Sequence, residues 1–247
     1  MPYLTQLATV ARRTGYPVVE VAGWKTRGHG PQPAVRGIVA HHTAGRDDMH
    51  VVRDGRPGLD GPLSHVWLQH TGRIYVVAAG KCWHNYPSTS ANHDNSHALG
   101  IEAENDGHEP WPAAQLDAYR KLCAELCRAF GLTPSRVKGH KEVQPGKPDP
   151  HGVDMDRFRA DVAELLLTEH DGPPAWLRPL KYVSGRPLMM GQDVRTWQAA
   201  LNTKLDAKLA VDGAFGSKTA AGTRTFQRRE GLAVDGIVGP ATWAAAW

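Results

Sequence analysis

Between Gly139 and His151 the chain reads Gly-His-Lys-Glu-Val-Gln-Pro-Gly-Lys-Pro-Asp-Pro-His, which sets two metal-ligating residues, His140 and Asp149, and a cation, Lys147, in one short stretch. Its prolines and glycine deny it a helical course, so it reads as a stiff loop. A catalytic zinc centre takes three protein ligands and keeps a fourth position for water, so a third ligand has to come from elsewhere. The best source lies about a hundred residues upstream. There Arg36-Gly-Ile-Val-Ala-His-His-Thr-Ala44 reads as a short, buried, β-branched strand that runs into His41 and His42. A strand end holds a side chain rigidly, as a metal site requires. Two histidines and one carboxylate suit zinc, while ligand type alone also admits manganese or iron. With 13 histidines in the chain, any single one is more often a surface or hydrogen-bonded residue. Only the combination singles these positions out.

An acidic pair lies in Ala98-Leu-Gly-Ile-Glu-Ala-Glu104, where Glu102 and Glu104 alternate with apolar residues and so face one side of a strand. That side is either solvent or a cleft. The elements that must carry these groups alternate between strands and helices. Leu63–His70 and Ile74–Ala79, joined at Thr71-Gly72, read as a β-hairpin. Trp111–Phe130 has apolar residues at helical spacing, Pro112 in its first turn and Gly131 at its end, and Met155–Thr168 repeats the pattern. Residues 1–35 read as a weak helix, Tyr3–Arg13, followed by a Gly/Pro/His-rich arm or loop. Interleaved strands and helices predict a mixed α/β fold with a central β-sheet flanked by helices.

The 247 residues suffice for one large domain and one small one, and 41% apolar with 22% charged residues describes an ordinary globular chain. No apolar run approaches the roughly 18 residues of a membrane span, which argues against membrane insertion. The first 17 residues lack a charged leading region and place Arg12-Arg13 after a short apolar piece. This does not read as a secretory signal, so synthesis in the cytoplasm is expected. The three cysteines, Cys82, Cys123 and Cys127, form no disulfide framework and read as small buried hydrophobes.

Glu169–Pro174 is rich in Asp, Gly and Pro and opens a linker, taken here as 170–182, between a domain at 1–169 and a second at 183–247. The second part repeats itself. Arg195-Thr-Trp-Gln198 returns as Arg224-Thr-Phe-Gln227, and Val211-Asp-Gly-Ala-Phe-Gly216 returns as Val234-Asp-Gly-Ile-Val-Gly239. Two helix-then-turn units predict a small all-α three-helix bundle packed around Val194, Trp197, Leu201 and Phe226. Charge is uneven: residues 1–175 carry 19 Lys and Arg against 20 Asp and Glu, and residues 176–247 carry 10 against 5. A basic module can meet a polyanion, either nucleic acid or an anionic cell-wall polymer. Its aromatic residues fall at core spacing rather than along a basic groove, which argues against nucleic acid.

The stretches Ile38-Val-Ala-His-His-Thr-Ala44, Trp83-His84, Leu99-Gly-Ile-Glu-Ala-Glu-Asn105, Gly139-His140 and Pro145-Gly-Lys-Pro-Asp-Pro150 give residues 37–159 a resemblance. That region resembles the zinc-dependent N-acetylmuramoyl-L-alanine amidases of the type-2 amidase and peptidoglycan-recognition-protein superfamily. The tail from Gly191 to Trp247 resembles the peptidoglycan-binding helical domain with Val-Asp-Gly-x-x-Gly repeats. The resemblance implies one Zn2+ per chain on His41, His140 and Asp149, because the family's ligand directly follows the strand, which selects His41 over His42. It implies Glu102 as general base, Lys147 as oxyanion stabiliser, and His84, Thr43 and Trp83 as residues lining the substrate cleft. Two departures stand out: Ser64 where some members carry a tyrosine beside the zinc, and a His140–Asp149 segment about one residue shorter. The implied activity is hydrolysis of the bond between N-acetylmuramic acid and L-alanine in bacterial peptidoglycan, as in phage endolysins that are made in the host cytoplasm and act on the wall after release. The alternative is a non-catalytic recognition protein. Members that only bind wall fragments typically lack the third ligand, which Asp149 supplies here.

Overall fold

The structure, a computed structural model, describes residues 3–167 and 176–246. By its internal contacts the chain divides into two units, Met1–Thr168 and Glu169–Trp247.

The first unit runs α1 (Leu7–Arg12), β1 (Val18–Glu20), β2 (Gly37–His42), α2 (Met49–Asp54), β3 (Gly55–Arg56), β4 (Leu59–Asp60), β5 (Val66–Leu68), β6 (Ile74–Val76), β7 (Ala98–Ala103), α3 (Ala113–Phe130), a 3-10 turn at Pro134–Arg136, β8 (Val137–Gly139), α4 (His140–Val143) and α5 (Met155–Leu167). Six strands form one sheet in the order β1-β6-β5-β7-β2-β8, and β3 pairs with β4 in a separate small ribbon. Only the hairpin contact β5–β6 is antiparallel within the large sheet. The expected mixed sheet flanked by helices is therefore the observed fold.

The neighbouring strands β2 and β7 are largely buried because both of their faces are covered, as parallel strands require. Residues of β2 and β7 in register share a face, and the period of two separates His41 and Glu102 from Ala40 and Ile101. Trp67 of β5 stands opposite Glu102 and so shares its face, where it clusters with Val52 of α2. On the other face α3 lies across the sheet, and the buried Tyr119 hydroxyl reaches the carbonyls of His41 and Ile101 at 3.1 and 2.9 Å. Those contacts tie the site-bearing strands to the longest helix. Gly131, in the left-handed region at φ 66°, ends α3.

The N-terminal arm differs from the sequence expectation. It carries an edge strand, β1, paired with β6, and buries Leu7, Val10 and Trp24. Three residues are too short a strand to stand out by alternation. The three cysteines are buried and free, as expected.

In the second unit β9 (Met189–Met190) pairs with β10 (Ala214–Phe215), around α6 (Gln192–Leu205), α7 (Ser217–Arg229) and α8 (Pro240–Ala244). Val194, Trp197, Leu201 and Phe226 lie in its core, as their spacing predicts. Part of the expected linker, 170–175, lies outside the described residues; from Trp176 the chain packs within this unit, with Leu180 buried and bridged to Val238. The sequence repeat is a repeated clamp. Gln198 donates to Asp212 Oδ1 at 2.8 Å and accepts from Gly213 N–H at 2.9 Å, and Gln227 does the same with Asp235 and Gly236 at 2.8 Å each. Both glycines have positive φ, 80° and 75°, which the Val-Asp-Gly signature encodes.

Candidate metal centre

Three elements deliver the candidate ligands. His41 lies near the C-terminal end of β2, and β8 is its parallel neighbour, with Ala40 opposite Gly139. The chain turns directly from β8 into α4, where a loop without helical course was expected; the prolines of the stretch all lie after Val143, so His140 starts a helix at the edge of the strand that bears His41. Asp149 returns from the loop, where its carbonyl accepts from Lys141 N–H at 2.8 Å.

The three ligand atoms form a nearly equilateral triangle. His41 Nδ1 and His140 Nδ1 are 3.0 Å apart, and Asp149 Oδ2 is 3.1 Å from the first and 2.9 Å from the second. All three residues are buried, and the set could hold a metal ion. Ligands about 2.0–2.1 Å from a tetrahedral zinc stand roughly 3.3 Å apart, so the triangle fits one face of such a centre. His140 Nε2 is 2.7 Å from Gln144 Oε1, an acceptor, which puts the ring proton on Nε2 and leaves Nδ1 a bare lone pair. Burial pushes His41 down to about 4, against the opposing pull of Asp149. Bare lone pairs converging on one carboxylate repel one another unless a cation lies among them.

Glu102 stands beside this triangle, with Oε1 3.9 Å from His41 Nδ1. Its Oε2 is buried with no hydrogen-bond partner. Burial raises its pKa well above the ordinary value, and the charges of Asp149 and Asp48 raise it further. An orphaned buried carboxylate oxygen in a cleft is placed to take a proton from something that enters. The cleft above it has a volume of about 320 Å³ and is lined by Thr43, Trp83, His84, Glu102, Lys147 and Asp149, among others. A second hollow of about 500 Å³ continues past Trp83, His84 and Lys147 to Lys81, Tyr86 and Asn95.

The residues expected to carry chemistry are thus brought together around one cleft, and their neighbours were not all foreseen. His42 is turned away, with its Nδ1 accepting from His151 N–H at 3.2 Å. Glu104 is buried and serves backbone, accepting from Asp47 N–H at 2.7 Å and His70 N–H at 3.0 Å. Ser64 is wholly buried. Trp83 stacks flat on His29 of the arm, centroids 3.6 Å apart, and so forms part of the cleft wall. Trp24 is buried, with its indole N–H on Glu20, and Trp111 donates to the His151 carbonyl. Gln144 and His29 were missed; a glutamine four residues after a ligand histidine in a helical turn was the available signal for Gln144.

Fold and site together define a mixed α/β domain with a candidate two-histidine, one-carboxylate metal centre, followed by a helical module. Residues 31–152 match the N-acetylmuramoyl-L-alanine amidase family, and residues 190–246 match the peptidoglycan binding domain family. It is 26% identical over 196 residues to a Bacillus licheniformis protein named "Probable N-acetylmuramoyl-L-alanine amidase", covering 72% of this chain and 52% of that protein. It is 25% identical over 236 residues to the Bacillus licheniformis N-acetylmuramoyl-L-alanine amidase CwlL, covering 84% of this chain and 64% of that protein. The chain therefore spans between about half and two thirds of the length of these relatives. Among solved structures it is similar to the N-acetylmuramoyl-L-alanine amidase LysC from Clostridium intestinale URNW, with a TM-score of 0.45, 24% identity, and coverage of 59% of this chain and 96% of that one.

Proposed function

We propose that this protein hydrolyses the amide bond between N-acetylmuramic acid and L-alanine in bacterial peptidoglycan, with one Zn2+ held by His41, His140 and Asp149. The observation that carries this reading is the triangle of ligand atoms with an orphaned carboxylate oxygen of Glu102 beside it. When bound, zinc supplies a Lewis acid that polarises the carbonyl and lowers the pKa of water to roughly 7.

The chain's own groups do the rest. Glu102 accepts the proton of the attacking water and delivers it to the departing L-alanine nitrogen. Lys147, on the cleft rim, stabilises the negative charge that develops on the carbonyl oxygen. Trp83, stiffened by His29, and Thr43 line the wall against which glycan and peptide lie. The second unit holds the enzyme on peptidoglycan, and its basic excess suits anionic wall polymers as additional contacts. No helix among the described residues is long and apolar enough to cross a membrane. The modular order supports an endolysin that acts on the wall after release from the host cytoplasm.

The test is metal analysis of purified protein, together with release of new N-terminal alanine amines from purified peptidoglycan, for wild type and Asp149→Ala. Close to one zinc per chain and amine release in the wild type, both lost in the variant, is the expected result. Zinc without amine release from any wall type tried overturns the hydrolase reading in favour of recognition alone.

A further inference from the structure

His84 lies in the wall of both hollows, yet neither ring nitrogen is free to meet a ligand. Nε2 is 3.2 Å from the Ala98 carbonyl, which can only accept, so Nε2 carries the proton. The ring is buried and, among the described residues, no carboxylate bonds it to balance a second ring proton, so Nδ1 is left bare. That nitrogen faces His41 Nε2 at 3.2 Å. A bare acceptor there requires a proton on His41 Nε2, which leaves His41 Nδ1 unprotonated and turned toward His140 and Asp149.

We propose that His84 is a positioning residue: a neutral acceptor, anchored on the Ala98 carbonyl, that fixes the ring and tautomer of His41 so that Nδ1 is presented to the metal. This rests on the metal-site reading above and changes the part that the family resemblance gives His84. The surroundings are built for it. The His84 and Asn85 backbone N–H groups both donate to Asn95 Oδ1, at 2.9 and 2.7 Å, which fixes the main chain under the ring. Gly100 lets the ring lie against β7, because a Cβ there would stand 2.7 Å from His84 Cγ and 2.9 Å from Ser64 Oγ. Behind the ring, His65 accepts the Gly100 N–H at 3.1 Å and packs edge-on against His84.

His84→Leu removes the acceptor, and His84→Asn restores an acceptor oxygen near the place of Nδ1. Zinc affinity by chelator competition should fall about 10- to 100-fold in His84→Leu, the range typical of a lost ligand-orienting partner, and stay within about threefold in His84→Asn. Gly100→Ala, which crowds the His84 ring and the Ser64 hydroxyl but removes no hydrogen-bonding group, should weaken zinc in the same direction. Multiple-bond 1H–15N spectra of the zinc-free wild type should show both His41 and His84 as Nε2–H tautomers, and His41 should become a tautomer mixture in His84→Leu. Zinc affinity in His84→Leu within twofold of wild type, or His41 protonated on Nδ1 in the wild type, overturns the proposal. A wild type that binds no zinc would sink the metal reading instead, and the tautomer spectrum would still decide the role of His84. It also decides the matter should His84→Leu fail to fold.

Discussion

Lys147 is exposed at the cleft rim, beside the buried Asp149 and within reach of whatever occupies the space over Glu102. A cation that only meets charge developing in the reaction can be removed without disturbing the fold. Lys147→Ala should therefore keep its zinc and lose about 10²- to 10³-fold in turnover, the range for one oxyanion donor; steady-state kinetics beside metal analysis checks both halves. Gln144→Leu should act the other way, weakening zinc about 10- to 100-fold through His140 while sparing whatever Lys147 contributes once zinc is saturating. At this scale the sequence was most telling where residue type and spacing coincide. His140, Lys147 and Asp149 stand in one proline-bound segment and His41 ends a β-branched run, so their convergence could be anticipated. The engagement of both His84 nitrogens could not, because it depends on where Ala98 and His41 lie in space. The apparent kinship of Glu102 and Glu104 likewise hid two fates. One carboxylate faces the cleft with an unpartnered oxygen and the other holds two loop N–H groups.

Elements explain why the repeats in the second unit are more than decoration. Each clamp joins a helix to the turn that follows it, through one buried glutamine. Gln227→Leu strips partners from the buried Gly236 N–H and the half-buried Ile237 carbonyl, and an orphaned buried group such as the first costs about 1–3 kcal/mol. The transition of that unit in calorimetry of the whole chain should fall clearly, and an unchanged midpoint would contradict the clamp's importance. The backbone N–H of Ile237, with Gln227, holds Asp235 below its ordinary value, and Ala214 N–H with Gln198 does so for Asp212. A carboxylate depressed on folding adds stability above its ordinary value near 3.8, which is lost as pH falls through the lower folded value. The unit should thus weaken below about pH 4, and Asp235→Asn should flatten that decline. Long periodic helices were readable, since α3 and α5 carry apolar residues every third or fourth position. The two-residue ribbons and β1 were not, because strands so short have no period to detect.

For the molecule as a whole, two compact units predict two unfolding transitions, only one of which responds to metal. Zinc at 100 times its dissociation constant stabilises the unit that binds it by about 2.7 kcal/mol. Chelation should lower that transition and leave the other in place; a common shift would mean that the units unfold together. The basic excess after residue 175 predicts that wall retention weakens as salt rises, readable by sedimentation with purified walls at increasing ionic strength. The register of β2 with β7 and β8 has one more consequence, which concerns the order of events during refolding. His41 meets Glu102 only when β2 and β7 pair without a slip, and a slip of one residue would turn Glu102 to the opposite face. His140 joins them only after β8 has added at the edge of β2, some hundred residues away in sequence. Local helices form well before such distant parallel pairings, so metal uptake keeps time for the last stage of assembly. In a stopped-flow experiment, a zinc indicator should lag behind the recovery of helical ellipticity and coincide with the recovery of full protection at the central strands.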